Sequence, residues 1–188
     1  MQTLGLSDST PRPEGRLKSL LWPTIRNEGD LDYVTRQGFW VCQAVAVATI
    51  FGGLALGNLL LSTPGVLFYA LAGVGVRERS KVAAVGVFVV YLFEALLTGL
   101  GFIRILFVAL LFANVRGHWL VSRWTQESWQ PTRLSETLAD KFADQMPPRL
   151  WPIGRYVFYA LLVLMLAGMS LLAWKWAHPS VNLGTKVI

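Results

Sequence analysis

Charge is scarce in this chain. Asp, Glu, Lys and Arg together make up 15% of its 188 residues, against roughly 25% in soluble domains. A soluble core of this length could not hide the apolar surface that remains. Cysteine is scarcer still, because Cys42 stands alone. An internal disulfide is thereby excluded, redox chemistry has no thiol pair, and the apolar neighbours of Cys42 point to a buried, inert thiol. Histidine occurs twice, as His118 and His178. No run of residues reads as a strand, so no glycine-rich phosphate loop has the strand it would follow. The opening residues, 1–16, lack the cationic start and apolar core of a cleavable signal peptide, so membrane insertion is expected to fall to the first long apolar helix.

What the chain has in quantity is apolar sequence. It is 54% hydrophobic, with a mean hydropathy of +0.47, which places it in the membrane class. The formal net charge of +6 would suggest nucleic acid if the basic residues shared one soluble face. They fall instead between apolar runs, a signature of membrane orientation, so no nucleic-acid partner is expected and the lipid bilayer is.

Taken in order, residues 1–36 read as a polar cytoplasmic tail. Arg16, Lys18, Leu20, Leu21 and Trp22 within it fit either an interfacial segment or a plain linker. Glu28, Asp30 and Asp32 alternate just before the first apolar run; acidic residues there favour a helix N-terminus, and no oxygen-rich calcium loop accompanies them. From Gly38 to Val76 the chain is apolar for about twice the roughly 20 residues of one crossing. The spacing predicts helices over 38–61 and 65–76, with a shorter first helix turning near Gly57 as the alternative. Gly53 and Gly57 have the small-xxx-small spacing of close helix contacts. Gln43 inside the first helix is expected to make an interhelical hydrogen bond. Further helices are expected over 82–100, 102–119 and 156–176, giving five crossings. Residues 37–120 thus form a four-helix unit of two hairpins, 121–155 an inner loop, and 156–188 a fifth helix with a short tail. In the loop, Leu134, Leu138, Phe142 and Met146 recur every fourth residue before Pro147-Pro148, as an amphipathic helix on the membrane surface or against a partner would have them. The fold class read from this pattern is an all-α, polytopic helical bundle.

With the N-terminus inside, every lysine and arginine except Arg104, Lys175 and Lys186 falls on the cytoplasmic side. The C-terminus is then outside. Tryptophans 40, 119, 124, 151, 174 and 176 sit near the expected helix ends, where indoles prefer the interface.

The hairpin 81–117 holds the strongest functional signal. Its apolar arms are broken by Glu94 before the Thr98-Gly99-Leu100-Gly101 turn and by Arg104 after it. A charge in an apolar span costs several kcal/mol unless paired or hydrated. The two charges are therefore expected to pair across the turn; the alternative is that Glu94 carries protons or binds a cationic substrate. Other chemistry has little support. The expected topology puts His118 and His178 at opposite faces, so they cannot share a haem or metal ion within one chain. Ser170 has no base at its depth save Lys175, and a lone serine in such a helix bonds to its own backbone. No cofactor, metal site or catalytic residue is expected, and the chain does not read as an enzyme.

The end of the second helix, Phe68 to Val76-Arg77, repeats at Phe107 to Val115-Arg116 with an offset of 39 residues, as two copies of one hairpin would. The stretch from Leu67 to Trp119, with Val76-Arg77, Ser80-Lys81-Val82-Ala83-Ala84-Val85 and Asn114-Val115-Arg116-Gly117, resembles a group of small, uncharacterised bacterial multi-pass inner-membrane proteins. The resemblance implies architecture and a bacterial origin; no assigned activity travels with it. The function these readings favour is a small accessory, assembly or scaffolding subunit of a bacterial inner-membrane complex, with a membrane-protein partner or a homo-oligomer. The alternative is a small oligomeric transporter or channel that uses Glu94.

Overall fold

The computed structural model describes residues 28–121 and 150–178. These form five helices, which we label α1 (Glu28–Ala55), α2 (Leu59–Arg77), α3 (Lys81–Thr98), α4 (Phe102–Val121) and α5 (Leu150–Ala177). No strand occurs among the described residues. All five helices are long and apolar enough to cross a membrane, where internal hydrogen bonding leaves the backbone no other open form.

The first hairpin differs from its expected form. Helix α1 starts at Glu28, ahead of the expected 38, and ends at Ala55, so α2 gains its opening turn and runs for 19 residues. The turn falls at Gly57, whose φ of 66° lies in the left-handed region that glycine enters without steric cost. This is the shorter-helix alternative. Pro64 removes the N–H that would have reached Leu60 and leaves the helix continuous. Ser62 and Thr63 donate their hydroxyls to the Leu59 carbonyl at 2.8 and 3.0 Å. Between α2 and α3, Ser80 caps α3 by accepting from the Ala83 N–H. Helix α5 takes in Leu150 to Arg155 as well as the expected span.

Each helix of the first four packs on the next, and α4 closes back on α1, so the four form a bundle; α5 lies outside it in the groove between α2 and α3. Because lipid tails are as apolar as leucine, close van der Waals packing holds such helices together. Small residues allow it. At Gly73 a Cβ would press on the Cys42 side chain and the Phe39 carbonyl, while Cys42 is fully buried. At Gly75 a Cβ would meet the Trp151 ring and Ala83, so this glycine lets α5 seat. Phe158 continues the seam by stacking on Phe68 at 5.2 Å and 14°.

The up-and-down order gives the bundle two unlike ends. The turns at Gly57 and Gly99 mark one, hereafter the turn end. Arg36, Arg77, Arg79, Lys81, Arg116 and Arg155 lie toward the other, the basic end, while Arg104 and Lys175 lie at the turn end.

Candidate functional site

A cavity of about 740 Å³ opens at the turn end among α1, α3, α4 and the first turn of α2. Val45, Thr49, Gly52 and Gly53 of α1 form one wall, and Tyr91 and Glu94 of α3 face Arg104 and Phe107 of α4. Leu56, Asn58, Leu61 and Ile103 form its rim, and the three apolar rim residues are well exposed. Helical rise sets the depths. Glu94 lies about 6 Å below the end of α3, and Tyr91 about 4.5 Å deeper.

Glu94 and Arg104 are thus brought to one cavity, but their hydrogen bonds go elsewhere than to each other. Glu94 accepts from the Tyr69 hydroxyl of α2 at 2.5 Å. Tyr69 is itself buried, and its ring meets Tyr91 edge-on at 6.2 Å. Arg104 donates through Nη1 to Thr98 Oγ1 and to the Gly99 carbonyl, and Thr98 donates to the Glu94 carbonyl at 2.5 Å. The expected contact across the turn is therefore indirect: the arginine holds the turn backbone, and the carboxyl is anchored to a neighbouring helix. Equal distance from a turn sets depth along a helix without setting the direction in which each side chain leaves it. Thr98, one turn beyond Glu94, stands where it takes the guanidinium first.

Of the two glycines expected to pack helices, Gly53 does so: a Cβ there would press on Ser62 of α2. Gly57 does not. It lies in the turn, with open space where a side chain would go. Gln43 makes the expected interhelical bond, donating to the Ala70 carbonyl at 3.3 Å. Ser170 bonds to its own helix at Leu166. His118 sits in the last turns of α4 and His178 just past α5, at opposite ends of the bundle. Among the described residues no group of three or more His, Cys, Asp or Glu is placed to hold a metal ion. Leu134, Leu138, Phe142 and Met146, and the interfacial reading of 16–22, lie outside the described residues.

Sequence reasoning missed a polar contact at the basic end. Asn114 of α4 is buried and donates from Nδ2 to the Val34 carbonyl of α1 at 3.0 Å. A Cβ at Gly38 would collide with its amide. The Asn114 Oδ1 and His118 Nε2 atoms are buried beside this contact without a hydrogen-bond partner. The only signal was Asn114 itself, a polar side chain in an apolar run, which the quoted Asn-Val-Arg-Gly motif hid. Tyr69 was missed because tyrosine is ordinary in such a helix, and nothing in the sequence joins it to a carboxyl 25 residues on.

No family model, curated protein or solved structure matches the chain. The chemistry of the site is therefore read from its residues. The site brings a carboxyl, a guanidinium and the rings of Tyr91 and Phe107 together against an apolar wall.

Proposed function

We propose that this protein is a small accessory, assembly or scaffolding subunit of a bacterial inner-membrane complex, with its N-terminus in the cytoplasm and without catalytic chemistry of its own. The observation that carries this reading is the placement of α5. The helix touches the bundle along one side only, through Trp151, Gly154, Phe158, Leu162 and Met165. Beyond Met169, which still packs on the core, its last two turns, with Leu171, Leu172, Trp174 and Trp176, are exposed. Met165 lies level with Gly65 of α2, so the residues past about Leu171 extend some 9 Å beyond the start of α2. A helix held by one side offers its other faces to lipid or to a second membrane protein. The orientation rests on the basic end, since positive residues stay in the cytoplasm.

Affinity isolation of the tagged protein from native membranes in mild detergent, followed by native mass determination, tests the reading. A stoichiometric membrane-protein partner that is lost when Leu164, Leu171 and Leu172 are changed together to Ala is the expected result. A protein that is monomeric and without a partner would sink it.

The turn-end cavity favours a second reading, the small oligomeric transporter or channel that uses Glu94. Arg104 does not neutralise the Glu94 carboxyl by direct contact. Cation- or proton-dependent flux in liposomes, abolished in Glu94→Gln, is what this reading expects, and flux that Glu94→Gln leaves unchanged would contradict it.

A further inference from the structure

Two opposite charges line one cavity and each keeps free bonding capacity. Glu94 uses Oε2 for Tyr69, which leaves Oε1, and Arg104 uses Nη1 for the turn, which leaves Nη2 and Nε. An acid and a base that already satisfied each other would offer a ligand nothing. Here both are held at the same cavity by bonds to third parties, so a ligand with both charges fits where a singly charged one leaves the second group unpaired.

We propose that the turn-end cavity binds a zwitterion that carries an ammonium group and a phosphate or carboxylate. The ammonium lies against Glu94 Oε1 and the rings of Tyr91 and Phe107, which attract a cation through their faces. The anionic group takes the fork of Nη2 and Nε on Arg104, a geometry suited to two oxygens. The volume of about 740 Å³ falls within the range of small-molecule sites. Two sources share this chemistry: the ethanolamine headgroup of a phospholipid, and a free zwitterion such as an amino acid. The exposed leucines at the rim, Leu56 and Leu61, would accompany an acyl chain from the bilayer. The inference concerns binding alone and is independent of whether anything crosses the membrane or what partner the chain has.

Native mass spectrometry of the full chain tests it, with equal amounts of phosphatidylethanolamine and phosphatidylglycerol added to the detergent-purified protein. Phosphatidylethanolamine is expected to be retained about tenfold better than the anionic lipid, the ratio that one net charged contact supplies. Glu94→Gln should bring the two to near parity, and Arg104→Gln should weaken both. Gly52→Phe serves as the control for folding, because a side chain at Gly52 enters open space on the cavity wall. It should abolish retention while thermal stability is kept or raised. Soluble phosphoethanolamine and leucine, added at millimolar concentration in separate arms, identify the source: displacement or direct binding points to the free zwitterion, and retention of lipid alone points to the headgroup. Equal retention of the two lipids by the native chain, a preference untouched by Glu94→Gln, full retention in a folded Gly52→Phe, or binding of no zwitterion from either source would overturn the proposal.

Discussion

The hydrogen bond from Tyr69 to Glu94 ties α2 to α3 beside the cavity. Interhelical hydrogen bonds in membrane bundles are worth about 0.6 kcal/mol on average and up to about 1.7. The short bond to a carboxyl belongs at the upper end of that range. Tyr69→Phe should therefore lower unfolding stability in mild detergent by about 1–2 kcal/mol. In a Glu94→Ala background the same change should cost markedly less, since the bond is already gone. Equal losses in the two backgrounds would mean that the contact carries no energy. Glycines give a second contrast at this scale. Gly38→Ala drives a Cβ into the buried Asn114 amide and should cost about 1–3 kcal/mol by overpacking. Gly52→Ala meets nothing within 4 Å and should be neutral or stabilising by up to about 1 kcal/mol. Thermal unfolding of the two variants side by side separates them, and a Gly38→Ala protein as stable as the native one would contradict the packing of α1 on α4.

The elements were legible to unequal degrees. Five apolar runs and their polar breaks were open to reading because each crossing demands about 20 apolar residues, and α3 and α4 begin and end close to where the runs do. The first hairpin was harder. Gly53 and Gly57 invite reading as two small residues on one helix face, yet Gly57-Asn58 is also a turn, and nothing local decides between these. Glycine at positive φ won. Helix α5 begins at Leu150, ahead of the expected 156, and takes in Trp151 and Pro152. Proline is tolerated in a first turn, where its missing N–H has no partner to lose, and Trp151 found a place against Gly75. That contact yields a prediction for the element: Gly75→Leu, whose side chain would meet Trp151 of α5 and Ala83 of α3, should unseat α5 and loosen the packing of α2 on α3. Cysteines at Gly65 and Met165, in a Cys42→Ala background, should be bridged by a short bifunctional thiol reagent when Gly75 is present, and at least several-fold less in Gly75→Leu, since Met165 reaches Gly65 with its terminal methyl. Undiminished cross-linking would show that α5 does not depend on that seat.

The whole molecule is a bundle with a basic end and a turn end, and its charges record that division. Cations remain where the chain does not cross, so their placement was readable without any knowledge of packing. The site was half readable for the opposite reason. Glu94 and Arg104 stand out as charges in apolar runs, whereas Tyr69, Asn114 and the open space at Gly52 depend on which faces meet, and a sequence of this kind spells many faces alike. The proposed orientation and the transport reading depend on the cavity and the basic end lying on opposite sides of one membrane. Single cysteines at Asn58 and Arg79, placed separately in the Cys42→Ala background, examine that directly with an impermeant thiol reagent applied to intact cells. Asn58→Cys should label at once, and Arg79→Cys only after the membrane is opened. Labelling of Arg79→Cys in intact cells, or of both positions from the same side, would contradict the account.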